Sequence, residues 1–467
     1  MTSIAIETPG ASVATDGASA VASFARQPIL NREGMLCGYE LKVLAPDVPP
    51  DAPPDGSEPP DMAITTAAAQ SDTATTADSL PSRAPTPAQR IARAIVSALV
   101  QADVRGALTR HPAYVDVNRD LLLDDAILRL PRERFILELP PSLEVDDTLI
   151  ERIVYLHGRR YRFALDDVTQ PTDSFAKLLP YAEIIKIDVA RVPHALLPKL
   201  ASVLKSAGKL LLALRVDAQD AFDTAHGLGF DRFQGYYFAR AQSAATRRVS
   251  APRHALLNLL QLLAGEPTVA QLEAELKLNP VLVMHLMKLA NSSGLALGHR
   301  VTTLRDAINA TGTDRIARWT QLLLYADGRK VALEDDPLLQ LAASRARFME
   351  LAIERLPEAG RDEADAAFLT GVFSFVDAVF GGSLEKTLNV LTLSRPIQAA
   401  ILHREGRLGL LLSAVEALES GAWDRLGELS DELQPLTLEE LARLGLAAGA
   451  WAGVADRSAE GLERIED

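Results

Sequence analysis

The run ALDDV closes an apolar stretch on two adjacent carboxylates, Asp166 and Asp167. Paired acids at a strand end can hold a divalent cation. They serve equally as loop chemistry, because aspartate bonds its own backbone in turns. Other reactive groups are scarce. Cys37 is the only cysteine, which excludes an intrachain disulfide framework and a cysteine-based zinc site. The histidines beyond residue 250 are His254, His285, His299 and His403, and none is followed by aspartate. Imidazole and carboxylate together make a metal doublet, and the chain has none. His285 lies in the apolar run VLVMHLMKLA, where packing is the expected role. Trp319, beside Arg315 and Arg318, reads as a core aromatic at helical spacing. Neither a phosphate-binding glycine-rich loop ending in Lys-Ser or Lys-Thr nor a Gly-x-Ser-x-Gly elbow occurs.

The chain has 467 residues, 48% of them hydrophobic, and a net charge of -14. That length suits two or three domains with cores of their own. The acidic balance argues against bulk attraction to nucleic-acid polymers or anionic membranes, which need a basic face. No run approaches the ~20 apolar residues of a membrane span. The start, MTSIAIETPGASVATDGASA, lacks the basic and apolar regions of a signal peptide. A cytoplasmic protein is expected.

The doublet needs a scaffold, and eight strand-like runs supply one: FARQPIL, LCGYELKVL, AYVDV, FILEL, FALDDV, IIKIDV, LLLALRV and FQGYYFA. From the third onward they alternate with helical patterns, as parallel strands with helical crossovers do, and eight of them predict a closed barrel. NREGM, between the first two, is too short for a crossover, so these two should form an antiparallel hairpin. After about Ser250 helix signals take over: Thr268 with Gln271 as a capping box, and Asn279-Pro280 as cap and first turn. The predicted organisation is a disordered tail over residues 1–22, a barrel over 23–250 and an all-helical domain over 251–467. A Pro/Ala-rich tract over 45–87, with little to bury, is read as a disordered insertion in the barrel. Arg247 and Arg248 are placed at a solvated junction.

The barrel motifs ARQPILNREGMLCGYELKVL, FILELP, FALDDV, IIKIDV and GFDRFQGYYFARA resemble, in order and spacing, the EAL-type cyclic di-GMP phosphodiesterases. LKLNPVLVMHLMKLANSSG, VTTLRDAINATG, FLTGVFSFVDAVFGG and HREGRLGLLLSAVEALESGAWD resemble HDOD domains, which lack the metal ligands of HD hydrolases and act as interaction modules. The two resemblances cover residues 24–44 and 88–455.

The resemblance implies hydrolysis of a cyclic dinucleotide phosphodiester by water activated at Mg²⁺ or Mn²⁺, with two cations ~4 Å apart held by converging carboxylates. It assigns metal ligation to Glu40, in GYELK, and to Glu138, Asp166 and Asp167. Asp116 stands where the family has an asparagine ligand. Lys186 matches the lysine near the attacking water, and Gln234 a site glutamine. Other positions depart from the pattern. Leu214 stands at the glutamate proposed as general base, and Arg215 at the following glycine. Asp217 replaces the second glutamate of that run and, with Gln234, is assigned to the substrate side. Leu44 stands at a phosphate-gripping arginine, and the Phe-Gly loop after the aspartate pair reads VTQPTD. Leucine accepts no proton, and general-base catalysis is typically worth ~10²- to 10⁴-fold.

The sequence therefore predicts a signalling protein with a non-catalytic barrel, no resident cofactor, and an HDOD domain that contacts other signalling proteins. An active phosphodiesterase and a cyclic di-GMP receptor that does not cleave remain as alternatives, and homo-oligomerisation stays open. Repulsion among the acids must be relieved by a cation, by Lys186 or by protonation, and Lys186 is the expected source.

Overall fold

The computed structural model describes residues 22–44, 86–239, 253–291, 301–326, 335–380, 383–391 and 393–454. Residues 1–21, most of the 45–87 tract and the Arg247-Arg248 pair lie outside them. Eight strands close a barrel in chain order: β1 (Ser23–Asn31), β2 (Leu36–Leu44), β3 (Ala113–Asp116), β4 (Phe135–Leu139), β5 (Arg162–Leu165), β6 (Ala182–Asp188), β7 (Leu210–Leu214) and β8 (Arg232–Gln234). As expected, β1 and β2 form an antiparallel hairpin. From β2 to β8 each neighbouring pair is parallel, and β8 closes antiparallel on β1.

The crossovers hold α1 (Pro87–Leu99) and α2 (Ala102–Ala107) before β3, α3 (Arg119–Leu123) before β4, and α4 (Asp147–Gly158) before β5. They continue with α5 (Asp173–Leu178), α6 (Leu197–Ser206) and α7 (Gln219–Gly227). Two details differ from the sequence reading. Thr86 and Pro87, counted with the insertion, cap and open α1 through a capping box with Gln89; proline at a first helical turn loses no hydrogen bond. The run FQGYYFA is a strand only to Gln234 and then turns into a short 3₁₀ helix, Tyr237–Ala239. Gly235, at φ 149°, allows that turn, since a Cβ there would fall 2.2 Å from the Val216 carbonyl oxygen.

The rest is helical: α8 (Arg253–Leu263), α9 (Val269–Lys277), α10 (Pro280–Ala290), α11 (Leu304–Thr311), α12 (Thr313–Ala326), α13 (Pro337–Ile353), α14 (Arg361–Phe373), α15 (Val376–Phe380), α16 (Leu384–Leu391), α17 (Arg395–His403), α18 (Gly406–Ser420), α19 (Trp423–Glu432) and α20 (Leu438–Val454). Thr268 and Gln271 form the expected capping box of α9, and Asn279 caps α10. All three tryptophans, Trp319, Trp423 and Trp451, belong to this half. No helix among the described residues is long and apolar enough to cross a membrane.

The helices pack on the barrel through α18 and α20 against β1, and α20 against α2. Buried residues of both halves form one continuous apolar core. Arg26 of β1 fastens the contact by donating to the Ala107 carbonyl of α2 and to Ser344 Oγ of α13, both at 2.5 Å. Residues 251–467 expressed alone should therefore still unfold cooperatively, but at a lower temperature than the intact chain, because apolar faces of α18 and α20 become exposed. Scanning calorimetry decides: an equal melting temperature would show that the contact contributes nothing.

Candidate metal centre at the barrel mouth

Alternation along a strand puts every second side chain on the same face. Glu40 and Lys42 thus share a face of β2, as do Lys186 and Asp188 on β6. Register sets Glu40 beside Tyr114, Asp116 beside Glu138, and Asp188 beside Leu214.

The centre of the mouth is an ammonium group. Lys186 Nζ, fully buried, lies 2.6 Å from Glu138 Oε1, 2.7 Å from Glu40 Oε2 and 3.1 Å from Asp166 Oδ1. Burial by itself would push this lysine down, but Glu138 and Asp166 outweigh burial and hold its pKa above the ordinary value. Glu138 responds in the opposite sense. Burial, aided by Asp166 and Asp116 and opposed by Lys186, lifts it to about 7. Gln234 Nε2 donates to Glu40 Oε2 at 2.5 Å and to Gln27 Oε1 at 2.8 Å. A second ammonium, Lys42, pairs with the other Glu40 oxygen.

Beside this cluster sits a separate one. Asp167 pairs with Arg191 and, at 3.2 Å, with Arg215. Arg215 Nε also donates to Asp188 Oδ2 at 2.6 Å. Both Asp167 and Arg215 have positive φ, 40° and 54°, which costs about 1–2 kcal/mol at a residue with a Cβ. Leu214, the residue at the expected base position, is buried in the barrel interior with Tyr114, Ile136, Ala164, Ile184 and Leu212. Asp217 stays apart from the acids; its Oδ1 accepts from the Tyr236 amide at 2.9 Å and fixes the turn after β8. Leu44 ends β2, half-buried.

The structure brings Glu40, Asp116, Glu138, Asp166, Lys186 and Gln234 to one place, whereas Asp167, expected among the ligands, turns to Arg191 and Arg215, and Asp217, expected on the substrate side, turns to the Tyr236 amide. The sequence reading did not foresee Lys42, Asp188 and Arg191 as partners. The signal for Lys42 and Asp188 was available in the two-residue spacing from Glu40 and from Lys186. Arg215, at the position where the family has a glycine, supplies a cation to Asp167 and Asp188.

A divalent cation can be tested against these residues. Glu40, Asp116 and Glu138 each offer a carboxylate oxygen, all within 4.8 Å of one another. Glu138 Oε2 is buried and has no hydrogen-bond partner. Hard oxygen donors of this kind suit Mg²⁺ or Mn²⁺. The set fits one such ion. Asp167, which the resemblance implies as a further ligand, is held by the two arginines.

A similar arrangement recurs among the helices. Lys277 Nζ lies 2.8 Å from Glu350, 3.2 Å from Asp365 and 3.3 Å from Glu273. Here too burial is opposed by the carboxylates, Glu350 foremost, and the ammonium is held above its usual pKa.

Residues 252–376 match the HDOD domain family. A Vibrio cholerae protein named cyclic di-GMP phosphodiesterase CdgJ is 27% identical over 370 residues, which is 77% of this chain and 83% of that one. The uncharacterised Bacillus subtilis protein YuxH is 24% identical over 344 residues, 72% of this chain and 83% of it. Among solved structures, the Bacillus subtilis YkuI protein, with an EAL domain and in complex with substrate c-di-GMP and calcium, is 18% identical with a TM-score of 0.34; the match covers 48% of this chain and 57% of that one.

Proposed function

We propose, for a chain that joins an EAL-like barrel to an HDOD domain, that the barrel does not hydrolyse phosphodiesters and acts as the sensing half of a signalling protein, with the helical half making the contacts to other signalling proteins. The observation that carries this reading is the occupation of Asp167 by Arg191 and Arg215. In-line displacement at a two-metal site needs carboxylates to clamp both ions and a group to take a proton from water. Asp167 is committed elsewhere, and Leu214 offers no oxygen. What remains is a place for one cation. The carboxylates of Glu40, Glu138 and Asp166 meet the ammonium groups of Lys186 and Lys42, and Asp116 lies within 4.8 Å of Glu40 and Glu138, so the acids outnumber the ammonium groups where a divalent ion would bind. Such an ion would offset negative charge in the mouth and leave the half-exposed Arg191 and Arg215 facing an anionic ligand.

The test is turnover. Cyclic di-GMP incubated with the protein and Mn²⁺ should remain intact while calorimetry reports cation binding. Linear dinucleotide forming over many turnovers, and vanishing in Asp166→Ala, would overturn the reading. An active phosphodiesterase is the second reading, favoured by the likeness to CdgJ over most of both chains and by the converging acids themselves.

A further inference from the structure

We propose that Lys42 is an exchangeable internal cation: a divalent ion binding to Glu40, Asp116 and Glu138 displaces the Lys42 ammonium from Glu40, and this loosens the corner between α18 and α19 that rests on the Lys42 stem. The inference rests on the single-cation reading above and adds how the state of the mouth reaches the helices.

The two lysines on Glu40 differ in kind. The Lys186 side chain is 1% exposed and grips three carboxylates, whereas that of Lys42 is 35% exposed. A flexible, half-exposed ammonium can exchange one carboxylate for water at small cost; a buried one cannot. An incoming cation that takes the Glu40 oxygens therefore repels and evicts Lys42 and leaves Lys186 on Glu138 and Asp166.

The stem of Lys42 has a second contact. Gly421, the residue that ends α18 at φ 68°, lies against it; a Cβ at 421 would stand 2.9 Å from Lys42 Cγ and 3.2 Å from its Cβ. The same corner is held from the other side of the mouth. Tyr236 Oη donates to the Glu419 carbonyl at 2.7 Å, and Tyr236 follows by two residues the Gln234 that bonds Glu40. Glu40 is thus joined to the α18–α19 corner by two short routes, one through Lys42 on β2 and one through β8. A charge change at Glu40 acts on a contact so close that a Cβ at 421 would displace the Lys42 stem, so a moved stem alters the packing of the corner. Packed contacts of this kind shift between discrete arrangements instead of deforming smoothly.

The experiment compares the intact protein with Lys42→Met and Lys42→Gln, which remove the charge and keep an unbranched stem. Calorimetric titration with Mn²⁺ should show about tenfold tighter binding in either variant, because a competing positive charge a few ångströms away is gone. Gly421→Ala, which pushes the stem from its seat, should move affinity in the same direction. Amide exchange over residues 419–423 should quicken with saturating Mn²⁺ in the unsubstituted protein, and should be quick and insensitive to Mn²⁺ in Lys42→Met. Equal affinities, or an unaltered corner at saturation, remove this inference and leave the cation site standing. Absence of Mn²⁺ binding in every form removes both.

Discussion

Lys186→Met should cost about 3–5 kcal/mol of folding stability, since removing one partner of a buried ion cluster leaves the others uncompensated. Glu40, Glu138 and Asp166 would then face one another with Lys42 alone to oppose them. The loss should depend on pH, and its sign follows from Glu138. The carboxyl sits at about 7 in the fold against an ordinary 4.5, so the folded state binds the proton more tightly than the unfolded chain does. Its contribution is therefore fully present below about pH 4.5 and fades as pH rises toward 7, the reverse of a salt-bridged acid with a depressed pKa. Without Lys186 the folded value climbs further and the window extends upward. Urea denaturation should find the variant's deficit smaller at pH 5 than at pH 8, and Glu138→Gln should restore part of it. A pH-independent deficit would mean that lost packing, and not charge, is responsible.

Arg345→Met should produce a comparable loss, about 3–5 kcal/mol, among the helices. Arg345 is buried on α13 and clasps Glu419 of α18 with two bonds, Nε to Oε1 at 3.0 Å and Nη2 to Oε2 at 2.5 Å. It also donates to Ser374 Oγ at 3.0 Å and lies 4.0 Å from the Phe375 ring centroid. Burial raises the Glu419 carboxyl and Arg345 opposes that rise; with the guanidinium gone, the acid is stranded. Lysine cannot reproduce a planar two-pronged grip, so Arg345→Lys should recover little. Arg345→Met combined with Glu419→Gln should be more stable than the sum of single effects predicts, as directly contacting residues couple. Additive losses in chemical denaturation would refute the pairing.

How far the sequence revealed these features depends on the range of the forces involved. The eight strands and the hairpin were legible because period-two apolar runs and a short connection are local signals. The end of β8 was not, because the aromatic residues of FQGYYFA are good strand formers and the turn is imposed by Gly235 meeting Val216, a contact made only after the barrel closes. The acids of the mouth were legible through motif resemblance. Their partners were harder. Lys186 and Glu40 are 146 positions apart in the chain, and whether Lys42 or Arg215 points at a carboxylate is decided by side-chain conformations that no local pattern fixes. Asp217 matched a motif position yet went to the backbone, an outcome available to any aspartate near a turn.

The placement of the tryptophans gives the molecule an optical asymmetry. All of its indole emission arises beyond residue 253, and Trp423 stands two positions past Gly421. The barrel carries no indole of its own. A cation entering the mouth meets no indole there, so a change in indole emission on loading the barrel reports a response of the helices.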